Sequence, residues 1–307
     1  MSPWTTRDIP DLAGRTAVVT GANSGLGLQV SMALARHGAH VVLGCRDRAR
    51  GAAALEQVVG SAELLVLDLA DLASVRTAAA EMERSHDRLD LLVCNAGVMA
   101  TPHRLTVDGF ELQFGTNHLG HFALTGLVMP RLLAGMGTRV VVVSSNMHRL
   151  GRMSANDLGL DHRYQKWFAY GRSKLANLLF MTELQRRADV AGADLTSVGA
   201  HPGWASTNLQ VAGPRMAGSG IGQAFAAVGN RLFGRSAQSG ALPVLRAATD
   251  PNVAPSGYYG PGVRRGHPGR AFMSAAARDR ATARALWEES ERLTGVAYEW
   301  STRRLAG

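Results

Sequence analysis

A tyrosine and a lysine stand four residues apart in Tyr170-Gly-Arg-Ser-Lys174. On a helix, positions i and i+4 share a face, so a phenol and an ammonium at this spacing can serve one ligand together. Composition singles the pair out. The chain has 33 Lys plus Arg, and only Lys166 and Lys174 among them are Lys. Where a generic positive charge suffices, this sequence uses Arg. Lys174 therefore points to a need for a compact ammonium with three rotatable donors rather than a planar fork.

A second chemical feature lies near the start, in Thr20-Gly21-Ala-Asn23-Ser24-Gly25-Leu26-Gly27. Glycines at this spacing let backbone N–H groups approach a pyrophosphate, and a helix N-terminus favours its charge. The next segment bears on which nucleotide fits. An acid at the end of a second strand would bind a ribose 2′-hydroxyl, while a basic residue accepts a 2′-phosphate. Here the chain reads Gly44-Cys45-Arg46. Arg46 offers a guanidinium fork to phosphate, which favours NADP(H) over NAD(H). Asp47 is a complication, because it could repel phosphate or bind the ribose.

The elements that position these groups follow from hydrophobic periodicity. Short β-branched runs at 16–20, 40–44, 63–67, 89–94, 139–144 and 195–200 read as buried strands. Helical stretches separate them, at about 25–37, 47–59, 71–85, 109–133 and 164–187. This alternation implies βαβ crossovers and a parallel sheet, hence an α/β fold. Ligands bind at the carboxyl edge of such a sheet. Asp68 and Leu69 fall on that edge, as do Asn95, Ala96 and Gly97, then Ser145, with Ser144 its rival. Tyr170 and Lys174 follow, and then His201-Pro202-Gly203-Trp204-Ala-Ser-Thr207.

After the sixth strand, Ile221, Phe225, Val228 and Leu232 keep helical spacing in a segment rich in Gly and Ala. A helical lid is expected over about 204–235. A helix at 236–249, an edge strand at 257–260 and a last helix at 275–293 complete the reading. The whole chain, 1–307, is read as one domain with a C-terminal extension from about 261.

Hydrophobic residues make up 46% of the chain and charged ones 19%, as in soluble globular proteins. The net charge is +9, but the arginines are scattered. The densest group, Arg264, Arg265, Arg270, Arg278, Arg280, Arg284, Arg303 and Arg304, is interrupted by Asp279, Glu288, Glu289 and Glu291. That reads as a solvated surface, not a nucleic-acid site. Cys45 and Cys94 form no disulfide framework, which suits a reducing compartment. No signal peptide or transmembrane anchor is legible, so a cytoplasmic location is expected. His118 and His121 lack a third ligand at suitable spacing, so they read as packing and no metal is expected.

Taken together, the motifs resemble the short-chain dehydrogenases/reductases over about residues 14–260. The matching elements are Thr20-Gly21-x-x-x-Gly25-x-Gly27, Asn95-Ala96-Gly97, Asn117, Ser145, Tyr170-x-x-x-Lys174, and Pro202-Gly203 with Thr207. Gly44-Cys45-Arg46-Asp47, Thr116 to Phe122 and Ser173 to Asn177 look like the retinol-dehydrogenase-like branch. The resemblance implies a Rossmann-type doubly wound parallel sheet and a set of roles. Tyr170 would protonate a carbonyl oxygen as hydride arrives. Lys174 would bind the nicotinamide ribose and, with the oxidised nicotinamide, lower the Tyr170 pKa by about 2–3 units toward neutrality. Ser145 would hydrogen-bond the substrate oxygen, Asn117 would hold a water linking Lys174 to solvent, and Thr207 would meet the cofactor.

The 25 residues from Ser145 to Tyr170 exceed the gap in many members of that family. The insert's Met147, His148, Tyr164, Trp167 and Phe168, with Met99, Trp204 and the lid, suggest a roomy apolar pocket. The expected activity is reversible NADPH-dependent reduction of an apolar ketone or aldehyde to the alcohol. A homodimer is compatible with the sequence. Two rivals stand beside this reading. One is an NADP(H)-binding sensor or scaffold without turnover. The other is a C=C or ring reductase resembling the protochlorophyllide reductases.

Overall fold

A computed structural model describes residues 4–160, 163–203, 237–262 and 267–300. Eight strands form one sheet in the order β3-β2-β1-β4-β5-β6-β7-β8. The strands are β1 (Thr16–Thr20), β2 (His40–Cys45), β3 (Ala62–Val66), β4 (Leu91–Cys94), β5 (Thr138–Val143), β6 (Leu195–Ala200), β7 (Tyr258–Pro261) and β8 (Pro268–Arg270). All pairings are parallel except β7 with β8. The expected doubly wound Rossmann-type sheet is therefore present.

Strand alternation divides the core between two faces. Val19, Val41, Leu43, Val93, Val141 and Val198 point to one side, where helices α1 (Gly25–Arg36) and α8 (Ala237–Thr249) pack together. Val18, Val42, Leu92, Val140 and Val142 point to the other. There lie α3 (Leu72–Ser85), α5 (Gly120–Leu127) and α7 (Lys166–Ala191). Between β2 and β3, α2 spans Arg48–Leu55.

Three departures from the sequence reading matter for the site. The single helix expected over 109–133 is divided into α4 (Leu112–Phe114), a π turn at Gly115–Leu119, α5, and α6 (Met129–Leu133). Single π turns inside helices recur at functional sites, and this one carries Asn117. The strand expected at the sheet edge, β7, is instead flanked by β8, whose three-residue run is too short to signal itself. Beyond it, α9 (Arg280–Thr294) packs on α7 and buries Trp287 among Phe122, Phe180 and Tyr298. The expected lid, with Trp204 and Thr207, lies outside the described residues, as do Arg264, Arg265, Arg303 and Arg304.

Candidate active site

The order of the sheet changes direction between β1 and β4, which run side by side. A crevice is expected outside the carboxyl ends of strands at such a switch. A cleft of about 290 Å³ lies there. Thr20, Gly21, Asn23, Ser24, Gly25, Leu26 and Gly27 line it, together with Arg46, Asp68, Leu69, Asn95, Ala96 and Gly97. The structure thus gathers most of the cofactor-binding residues read from the sequence. Pro202 and Gly203 follow the end of β6 on the same edge of the sheet.

The glycines have distinct reasons to be there. Gly21 and Gly25 have positive φ, 67° and 56°, which L side chains rarely adopt. A Cβ on Gly27 would stand 2.4 Å from the Gly21 carbonyl oxygen, so the helix closes on the turn only with glycine. Ser24, the N-cap of α1, makes no side-chain capping bond. Hence the first-turn N–H groups of α1 are free of a capping side chain and open toward the cleft, as pyrophosphate binding requires.

Thr20 organises the turn, a role the sequence reading left undeveloped. Its Oγ1 accepts from the N–H groups of Asn95 and Ala96, both at 2.9 Å. Asn95 Nδ2 donates to the Thr20 carbonyl at 2.8 Å, which ties β4 to β1. His121 joins this cluster. Its Nδ1 lies 3.0 Å from the Asn117 carbonyl, an acceptor only, so Nδ1 carries the proton. Nε2 then accepts from the Thr20 hydroxyl at 2.8 Å. Burial pushes the His121 pKa down to about 4, consistent with this neutral bridge between the glycine turn and the π turn.

Asp47 also lines the cleft beside Arg46, so its charge still bears on which nucleotide fits. It caps α2, with its Oδ1 accepting the Arg50 N–H at 2.9 Å. Arg50 itself lines the cleft beside Arg46. Two arginines, one just before the N-cap of α2 and one in its first turn, thus line the cleft where the sequence reading named one.

The catalytic candidates come from three elements. Tyr170 and Lys174 lie on α7, one turn apart, with Lys174 Nζ 5.8 Å from the Tyr170 ring centroid. Gln165 starts the helix by accepting from the N–H groups of Trp167 and Phe168, each at 2.9 Å. The Tyr170 hydroxyl faces Ser145 at the end of β5. The neighbouring Ser144 is engaged elsewhere, donating to the Lys174 carbonyl at 2.7 Å. Lys174 Nζ donates to the Val143 carbonyl at 3.2 Å, and a Cβ on Gly97 would lie 3.5 Å from it. Gly97 lines the cleft, while Lys174 itself is buried and is not among the lining residues.

Asn117 bonds to protein through both ends of its amide. Its Nδ2 donates to the Val98 carbonyl and to Ser173 Oγ, both at 2.9 Å. Its Oδ1 accepts the Val98 N–H at 2.7 Å. Both amide hydrogens are engaged by protein, so the side chain clamps the turn after Gly97, and only its oxygen acceptors remain to meet a water. Ser173 extends the clamp by donating to the Tyr170 carbonyl at 2.8 Å.

The expected downward shift of Tyr170 depends on the oxidised nicotinamide. Without it, burial is the larger influence and raises the Tyr170 pKa to about 12, against the lowering effect of Ser145. Burial lowers Lys174 to about 8. The protein by itself shifts both groups toward their neutral forms.

Of the residues assigned to a substrate pocket, Trp204 lies outside the described residues, and the others are held as follows. His148 is fully buried with both ring nitrogens engaged. Nδ1 donates to the Ser145 carbonyl at 2.7 Å, and Nε2 accepts the Ser274 N–H at 3.2 Å. Tyr164 donates to the Thr101 carbonyl at 2.5 Å and accepts from Gln113 at 2.9 Å. Trp167 and Phe168 are exposed in the first turn of α7. Met99 and Met147 are half-buried. Much of the insert instead covers α7, with Met153, Leu158 and Leu160 packed beside Leu175 and Leu179. Gly151 lies so close to Gly171 that a Cβ there would stand 2.6 Å from its carbonyl oxygen.

Comparison with known proteins agrees with this geometry. Residues 15–216 match the short chain dehydrogenase family. The chain is 46% identical over 214 residues to human retinol dehydrogenase 14, a match covering 64% of this chain and 63% of that one. It is 38% identical over 296 residues to human retinol dehydrogenase 13, covering 93% and 86%. Among solved structures, an uncharacterized protein from Mycobacterium Paratuberculosis superposes with a TM-score of 0.80 at 43% identity, covering 97% of this chain and all (100%) of that one. An NAD(P) dependent gluconate 5-dehydrogenase from Beutenbergia cavernae, described with bound NADP at low occupancy, has a TM-score of 0.59 at 27% identity, covering 78% and 91%. The chain belongs to the short chain dehydrogenase family, in its retinol-dehydrogenase-like branch.

Proposed function

We propose that this chain is an NADPH-dependent reductase of apolar ketones or aldehydes, acting in reverse as an alcohol dehydrogenase. The observation that carries this reading is the buried Tyr170 hydroxyl beside Ser145, with Lys174 on the next turn and its ammonium close to Gly97, which lines the cleft at the switch point. The family is one of hydride-transferring oxidoreductases, and the relatives named retinol dehydrogenase support an apolar substrate.

The residues present fit a nicotinamide dinucleotide. The uncapped N-terminus of α1 would take the pyrophosphate, and Arg46 with Arg50 would take a 2′-phosphate. When bound, the cofactor supplies hydride for reduction. Tyr170 donates its proton to the carbonyl oxygen, and the Ser145 hydroxyl hydrogen-bonds that oxygen as charge develops. The Lys174 ammonium holds the ribose and stabilises the phenolate left on Tyr170. Asn117, through Ser173 and Val98, keeps the Tyr170 turn and the Gly97 turn in register. No step needs a group beyond these and the cofactor.

A panel of apolar aldehydes and ketones, run with NADPH and NADH in parallel, tests the proposal. NADPH should be oxidised with at least one member, and more efficiently than NADH. Tight NADPH binding with no turnover across the panel would favour a binding protein instead.

A further inference from the structure

At the amino end of the sheet, opposite the cleft, three side chains from three elements converge. His40 opens β2, Glu63 is the second residue of β3, and His86 is the C-cap of α3. His86 Nε2 lies 2.7 Å from Glu63 Oε1, and His40 Nε2 lies 3.5 Å from the same oxygen. The three ligand atoms all fall within 4.8 Å of one another. The two imidazole rings are tilted by 43° with centroids 5.6 Å apart, so both can turn an edge toward Glu63.

We propose that His40, Glu63 and His86 bind a divalent transition-metal ion of the zinc class. Two imidazole nitrogens and one carboxylate oxygen are a donor set that zinc takes readily. Bond lengths of about 2.0–2.2 Å in tetrahedral geometry need donor separations of about 3.3 Å. The separations to Glu63 are 2.7 and 3.5 Å and all three donors lie within 4.8 Å, so the two imidazoles must draw together around the ion by side-chain rotation.

The surroundings can support a ligand. His40 Nδ1 lies 2.7 Å from Ser61 Oγ. When Nδ1 donates there, the Nε2 lone pair faces the Glu63 carboxylate and is open to a cation. A hydrogen bond that fixes the tautomer in this way is the usual outer support of a metal-bound histidine. The backbone already sets the spacing. Val42 pairs with Glu63 in the parallel register of β2 and β3, and the His86 N–H closes α3 on the Met82 carbonyl at 3.0 Å. Half-buried side chains leave a fourth position open to water. The ion would clip β2, β3 and the end of α3 together, remote from the hydride chemistry at the carboxyl edge.

The test uses tag-free, full-length protein stripped of metal and titrated with Zn²⁺ against a chromophoric chelator. One equivalent should bind with a dissociation constant below about 10 μM, and zinc should raise the melting temperature. Both effects should disappear in the double variant His40→Gln, His86→Gln, and Glu63→Gln should weaken binding by about tenfold or more. Carbonyl reduction should be the same with and without zinc. Co²⁺ provides a second readout on the unaltered protein, where visible d–d absorption of low-symmetry coordination is expected. No tight zinc binding to the unaltered protein would overturn the proposal. So would binding that persists unchanged in the double variant, or cobalt that retains its hexaaqua spectrum.

Discussion

The Lys174 ammonium nitrogen lies 5.8 Å from the centroid of the Tyr170 ring, and both side chains are buried on α7. Burial lowers Lys174 from its ordinary 10.5 to about 8 and raises Tyr170 from 10.0 to about 12. The site therefore holds a cation that the fold alone does not favour. Function, not stability, explains a lysine at this position.

That conflict has a measurable consequence. Below pH about 8 the folded protein carries a buried charge that the unfolded chain exposes to water. The shift corresponds to a cost of about 3 kcal/mol. Lys174→Met should therefore raise the melting temperature of the cofactor-free protein by several degrees at neutral pH. The gain should shrink as pH rises from about 8 and vanish above about 10.5, where lysine is neutral in both states. Turnover should be lost. Thermal melts across pH check this, and a destabilised Lys174→Met protein at neutral pH would contradict it.

The raised Tyr170 pKa sets the direction of pH dependence. A phenol held up at about 12 keeps its proton through the neutral range, the form that reduction needs. kcat/KM for carbonyl reduction should be level between about pH 6 and 7.5 and fall above about pH 8 as Lys174 loses its charge. Initial rates of reduction across pH provide the check. A tenfold fall in reduction between about pH 6 and 7.5 would show a much lower operating pKa.

Arg46 and Arg50 face the cleft at the end of β2, and Asp47 is held in a helix cap between them. Arg46→Ala should raise the KM for NADPH by about tenfold or more and leave that for NADH nearly unchanged. Arg50→Ala should act in the same sense. An equal loss for both nucleotides would remove the phosphate role. Asp47→Ala should cost about 1 kcal/mol of stability through the lost cap, without reversing the preference.

His148 joins the catalytic serine loop to the C-terminal segment through Ser145 and Ser274. It is a positioning residue. His148→Ala should lower kcat by about tenfold or more, with little change in the KM for NADPH. His148→Asn can restore the donor to the Ser145 carbonyl and should recover part of the rate. A purely structural loss would lower the melting temperature while leaving the kcat of the folded fraction intact.

The sheet was legible because its strands are continuous β-branched runs separated by helices, as in Val140 to Val143. The glycine turn was legible because Gly21, Gly25 and Gly27 meet backbone requirements that no other residue satisfies. Other parts depend on distant partners. Periodicity cannot show that the helix through Asn117 opens into a π turn, since one extra residue in a turn leaves the apolar pattern almost intact. Arg50 lies one turn into α2, and only the fold turns that face toward the cleft. The hydrogen bonds that hold Tyr164 and His148 were not legible, because their partners lie 63 and 126 residues away. The cluster of His40, Glu63 and His86 has no sequence spacing at all. It exists because β2, β3 and the end of α3 meet at one edge.

The most direct measurement is the turnover of Tyr170→Phe with saturating NADPH and an apolar carbonyl that the unaltered protein reduces. The substitution removes one oxygen and leaves the ring packed, so the fold and NADPH binding should persist. Activity should fall to about one per cent or less, in line with the loss of a general acid. Retention of more than a few per cent, in a variant that still binds NADPH normally, would contradict the role of Tyr170 as the proton donor.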